Sequence, residues 1–174
     1  MVANSAGGNA AQPEGDESSF GVYRRGSATP EISFTISLVL AARRWRSLLD
    51  EKLRPINQSA ARMEAMAAIM NSPPLSPQVD IAKRLRIEGP TLTRMLDSLE
   101  KDGLVERLPD PNDRRTKLLR LTPEGEAVLK DVFAIADEWR FRLLDGFTEE
   151  QKEQATSFCG ELVTRLDRGL ADPD

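Results

Sequence analysis

Ile32, Ile36, Val39, Ala42, Trp45, Leu49 and Leu53 recur at three- and four-residue steps, the spacing that gathers side chains on one face of an α-helix. Thr29 can cap this helix, Pro30 suits its first position, and Pro55 ends it. Met63, Met66, Ala67 and Met70 form a second stripe, predicting a helix over 59–70 that "NSPPLSP" breaks. Ser76 reads as the cap of a short third helix, with Pro77 at its start and Ile81, Ala82 and Leu85 inward. A fourth helix follows from Gly89 to Asp102, with Leu92, Met95, Leu96 and Leu99 inward and Gly103 as its stop.

Beyond Gly103 the period changes. "LVERLP" and "TKLLRL" read as two short strands joined by a loop around "DPNDRR". Helical spacing returns at Thr122-Pro123, and Val128, Leu129, Val132, Ile135, Ala136, Trp139 and Leu143 carry a fifth helix to Gly146. Thr148 and Gln151 form a capping box for a sixth. Its apolar set is Ala155, Phe158, Cys159, Leu162, Val163, Leu166 and Leu170. Residues 1–28 are rich in Gly, Ala, Ser and Asn and read as a disordered N-terminal tail.

This order predicts a mainly α (α+β) fold: a winged helix-turn-helix flanked by long helices. In such a pair the second helix enters the major groove of DNA. Its inward face is taken by leucines and Met95, so Pro90, Thr91, Thr93 and Arg94 are left to meet base edges. Arg94 can pair with guanine bidentately, and threonine methyls can touch thymine. A merely solvated polar face is the alternative. Arg114 and Arg115 stand on the hairpin tip, where a wing meets the DNA backbone or the minor groove. Asp113 is spaced to pair with Arg115 and fix its direction, or to form a surface ion pair worth under ~1 kcal/mol.

Charge agrees with a polyanion partner. The chain carries 24 Lys/Arg and 28 Asp/Glu, a net −4, yet residues 81–120 hold ten basic and seven acidic side chains. A basic segment in an acidic protein suggests one face made for nucleic acid. There is no histidine and one cysteine, Cys159. Ser-His-Asp and Cys-His catalysis and most zinc sites are thereby removed, so neither an enzyme nor a cofactor is expected. The chain shows no apolar run of the ~20 residues a bilayer requires and no secretion signal, so no membrane partner and a cytoplasmic location are expected.

Residues 76–129 closely resemble the MarR family of bacterial transcription regulators, most specifically in Asp-Arg-Arg-x-Lys followed by a strand and Leu-Thr-Pro-x-Gly. "IEGPTLTRMLDSLEKDGL" and "RRWRSLLDEKLRPI" resemble its SlyA-type branch. The resemblance runs over roughly residues 32–170. It implies an intertwined homodimer, with 29–56 and 123–171 as dimerisation helices and 57–122 as the DNA-binding lobe. Carried onto this chain, the recognition contacts fall on Pro90, Thr91, Thr93 and Arg94, and the wing contacts on Asp113, Arg114, Arg115 and Lys117. Gln78 and Arg86 would approach phosphates. Glu88 stands where many members place a small capping residue, which leaves the half-site sequence open.

The resemblance further implies a dimeric repressor released from a pseudo-palindromic operator by a small aromatic carboxylate or phenol. That effector would lie between Arg43 and Arg46 on the first helix and Met63, Met66, Ala67 and Met70 on the second. Alternatively the methionines are core and Arg46 pairs with Asp50, giving a ligand-independent architectural or anti-silencing regulator. A protein-interaction module without DNA binding would show an eroded recognition helix and wing. Cys159 is expected to be a buried, inert thiol, and zinc-sensing relatives are excluded for want of histidine.

Overall fold

A computed structural model describes residues 21–22, 26–113 and 115–170. The expected N-terminal tail lies largely outside the described residues, as does Arg114. The chain divides into two compact units, residues 1–51 and 52–174. Helix α1, Pro30–Leu53, runs through the boundary and leads into a 3₁₀ turn, Arg54–Ile56. Its start is as the sequence predicts, with the Ile32 backbone N–H donating to Thr29 Oγ1 at 3.4 Å. Within the first unit Phe34, Ile36, Leu38, Val39 and Leu40 are exposed.

The second unit holds the lobe. Helix α2 spans Ala60–Met70, with Ser59 as its cap. Then come β1 (Ser76–Pro77), α3 (Gln78–Leu85), α4 (Gly89–Lys101), β2 (Val105–Pro109), β3 (Lys117–Leu121), α5 (Pro123–Leu144) and α6 (Glu149–Arg168). The sheet has the order β1-β3-β2 and is antiparallel throughout, with Ser76 opposite Leu119 and Val105 opposite Leu121. Here the sequence reading needs correcting. Ser76 caps nothing: its hydroxyl donates to the Pro73 carbonyl at 2.7 Å, and Ser76-Pro77 form a third strand. Strand pairing took the backbone that a cap would have needed.

The lobe's core is contributed by every element around it. Met66 and Ile69 come from α2, Ile81 from α3, Leu92, Leu96 and Leu99 from α4, Val105 and Leu119 from the hairpin, and Leu129 from α5. The Thr-Pro-x-Gly motif at the start of α5 now has a reason. Gly125 lies against the turn after α4 so closely that an added Cβ would fall 2.0 Å from the Leu104 carbonyl oxygen. Thr122 fastens the same joint, donating from its backbone to Leu104 at 3.1 Å and from its hydroxyl to Gly103 at 2.7 Å. The distal part of α5 and all of α6 contribute no fully buried side chain; Phe141, Leu143, Phe158, Val163, Leu166 and Leu170 are exposed. The capping box that opens α6 is present in both directions.

Candidate nucleic-acid interface

Helix α4 is seated by its apolar stripe: Leu92, Leu96 and Leu99 are fully buried. At 100° per residue Arg94 falls on roughly the opposite side of the helix, and Pro90, Thr91 and Arg94 are exposed. Glu88 occupies the cap position with no side-chain hydrogen bond to the helix, consistent with the poor capping of a long carboxylate. Thr93 is half-buried; its hydroxyl donates to the Gly89 carbonyl at 3.0 Å and accepts from Gln78 Nε2 at 2.8 Å. Gln78 thus braces α4 from the N-terminus of α3.

The wing loop is held from Asp113, though not as the spacing suggests. Its carboxylate accepts from the Arg115 backbone N–H at 3.0 Å and from the Thr116 hydroxyl at 2.9 Å. The expected pairing with the Arg115 guanidinium is replaced by a turn that closes on its own main chain, as aspartate does in Asx-type turns. Asp110 acts likewise toward the Asn112 N–H at 2.7 Å. Arg115 and Lys117 remain exposed.

Between α3, the turn, α4 and the wing lies a basin of about 690 Å³, lined among others by Gln78, Arg86, Gly89, Thr93, Arg115 and Lys117. The structure therefore brings Gln78, Arg86, Thr93, Arg115 and Lys117 to one concave surface. Pro90, Thr91 and Arg94 lie outside its lining on the exposed face of α4, and Asp113 lies outside it in the wing loop. Arg86 carries a partner within the chain. Its Nε donates to Asp167 Oδ1 at 2.9 Å and its Nη2 to Oδ2, an ion pair to the far end of α6. Hydrogen bonding to Asp167 holds the guanidinium above its usual range and the Asp167 carboxyl below its own. Arg86 also closes α3 in the left-handed region, φ +53°, a helix-ending conformation that costs an L-residue about 1–2 kcal/mol.

The proposed effector-contacting residues fall in two places. Arg43 and Arg46 are exposed on α1 in the first unit. In the second, Met66 is fully buried in the lobe core with Met63 packed against it, Ala67 is half-buried and Met70 is exposed. Met66 has no surface left to line a cleft. Cys159 is exposed on α6, which corrects the expectation of a buried thiol. Among the described residues no cluster of acidic side chains and cysteine could hold a metal ion, and no helix is long and apolar enough to cross a membrane.

Sequence reasoning missed two arginines on the inner flanks of α4. Arg62 of α2 donates to Gln58 at 2.9 Å, Ser98 at 2.7 Å and Asp102 at 2.7 Å. Arg107 of β2 donates to Glu100 at 2.6 and 2.9 Å and to Asp97 at 2.5 Å. The acidic spacing of "DSLEKD" was the available signal.

Two helices set across a short turn, with the exposed face of the second beside a basic hairpin, define a winged helix-turn-helix protein. Residues 59–117 match the sequence profile of the MarR family. The structure is similar to transcriptional regulator PA3341, with 32 % identity, a TM-score of 0.70, and coverage of 78 % of this chain and 99 % of that one. It is also similar to a cysteine-to-serine mutant of MarR from E. coli complexed with operator DNA (27 % identity, TM-score 0.69, 75 % and 94 % covered). A third likeness is to the transcriptional repressor CouR bound to a 23-mer DNA duplex (26 % identity, TM-score 0.68, 73 % and 89 % covered). The chain belongs to the MarR family of winged-helix transcriptional regulators.

Proposed function

We propose that the protein is a homodimeric repressor that binds a pseudo-palindromic operator through α4 and the wing. The observation that carries this reading is the basin shared by Gln78, Gly89, Thr93, Arg115 and Lys117, beside the exposed Arg94. The helix reads base edges while the wing arginines and Lys117 meet phosphates or the minor groove. Arg86 joins them by exchanging Asp167 for a phosphate. Operator DNA in the E. coli MarR complex and the duplex bound to CouR support the same use here. Dimerisation is supported by the apolar side chains that α1, the end of α5 and α6 leave exposed on the single chain, a patch pattern that marks association surfaces.

The test is a binding titration against a duplex library over a range of salt. Log K should fall with log salt by about 0.9 per phosphate contact, and selected sites should show half-sites about one helical turn, ~10 bp, apart. Salt-independent binding would remove the wing and turn contacts together.

A small aromatic carboxylate or phenol releases the repressor in this reading, with Arg46, and Arg43 one turn away, as its charged anchors; a SlyA-type assignment, carried by "IEGPTLTRMLDSLEKDGL" and "RRWRSLLDEKLRPI", belongs to the same reading. Arg46→Met should preserve repression and abolish induction, since a ligand shifts an equilibrium only by its differential affinity for two states. The burial of Met66 favours a second reading, a ligand-independent regulator. Unchanged melting temperatures across a panel of aromatic acids would select it.

A further inference from the structure

We infer that Arg62 and Arg107 are positioning residues for base reading: a two-sided clamp that sets the rotation and axial register of α4 without touching DNA. The inference rests on α4 being the reading helix. Leu92, Leu96 and Leu99 fix how deep that helix sits, but apolar contact is non-directional. It leaves small rotations and slides about the stripe weakly opposed.

The directional contacts lie on either flank. At 100° per residue, Asp97 and Glu100 stand about 100° to one side of the leucine stripe, and Ser98 and Asp102 about 100° to the other. Arg107 holds the first pair from the wing strand, and Arg62 holds the second from α2. Both arginines are largely covered, with side-chain exposures of 18 % and 13 %, while the acids they grip are about half exposed. Forked, charge-assisted hydrogen bonds are geometrically specific. A pull from both sides therefore opposes rotation in either sense, and Arg94, on the side opposite the stripe, keeps its aim. Because Arg107 belongs to β2, the same clamp makes wing and reading helix one rigid piece.

The experiment compares full-length wild type with Arg107→Gln and Glu100→Gln. The probes are a duplex that wild type selects from a randomised palindromic library and a scrambled duplex of equal length and composition. The two variants change charge in opposite directions. The clamp nonetheless predicts that both lower the selected-to-scrambled affinity ratio, on the order of tenfold, the scale of one lost charge-assisted hydrogen bond. Both should keep the wild-type salt slope on the scrambled duplex. Opposite changes in affinity with an unaltered ratio would overturn the inference, leaving only surface electrostatics. So would a slope for Arg107→Gln shallower by about 0.9 per site, which would make Arg107 a phosphate contact. If Arg107→Gln fails to melt cooperatively, Glu100→Gln and Asp97→Asn carry the test, because they alter only exposed acids. A wild type that selects no sequence would defeat the DNA-reading assignment itself, and the clamp with it.

Discussion

Replacing Gly125 by alanine adds one methyl group at the joint between α5 and the turn after α4. The new Cβ would lie 2.0 Å from the Leu104 carbonyl oxygen and 2.9 Å from its carbonyl carbon. These are backbone atoms of a residue only 4 % exposed, next to Val105 at 1 %, so no flexible side chain can swing aside. Relief requires the first turn of α5 to retreat by about 1 Å or more, a separation at which the two Thr122 hydrogen bonds to Gly103 and Leu104 cannot persist. Their loss costs about 1 kcal/mol each, and the strain of overpacking adds about 1–3 kcal/mol. Alanine's better helix propensity returns about 1 kcal/mol. The net is a destabilisation of roughly 2–4 kcal/mol, or a fall in melting temperature of roughly 5–15 °C for a chain of this size. Thermal unfolding followed by circular dichroism measures it, at one fixed protein concentration because assembly shifts the midpoint. An unchanged or raised midpoint would refute the close-approach account of this glycine.

Arg94→Ala should relax discrimination at one base position per half-site by roughly 1–3 kcal/mol, whereas Arg115→Ala should weaken binding across sequences; sequencing of bound operator libraries separates the two. Asp167→Asn should tighten DNA binding at low salt by releasing Arg86, read in the same titrations. Because Arg86 lowers the Asp167 carboxyl, the ion pair contributes stability above the ordinary carboxylate value of about 4 and loses it as pH falls through the lowered one. The melting difference between wild type and Asp167→Asn should therefore be level from neutrality to about pH 5 and vanish on further acidification. Cys159 should react with a thiol reagent slowly in concentrated protein and faster on dilution, if α6 is covered by a second copy; concentration-independent labelling would place the dimer surface elsewhere.

Much of the fold was legible because its signals are local. Thr29, Ser59, Thr122 and Thr148 each declare a helix start through a bond to a residue three positions on, and the leucine stripe of α4 is periodic in the sequence. The outward set of Pro90, Thr91 and Arg94 followed from knowing which face was taken. What stayed hidden is what depends on distant partners. Arg86 meets a carboxylate 81 positions away, and Arg62 meets partners 36 and 40 positions away. No periodicity encodes such pairs. Ser76 misled for a related reason: a serine before a proline and a helix reads as a cap, but β3 arrived to pair with it. Asp113 was legible as the organiser of the wing and illegible in its partner, since a short carboxylate reaches its own turn before it reaches a guanidinium.

The small sheet has a further consequence, concerning neighbours rather than DNA. Its two outer strands are β1 and β2. An unpaired strand edge is a template on which another chain can add a strand, and exposed, flat edges are aggregation hazards. Here β1 is two residues long and ends in Pro77, which has no N–H to offer, and β2 ends in Pro109. The other outer residues include Glu106, ion-paired to Arg120, and Arg107, committed to α4. A hairpin that reaches a duplex in the proposed reading thus offers little open edge for growth on either side. If the wing meets DNA as proposed, many copies can crowd along one DNA molecule without knitting together through their sheets.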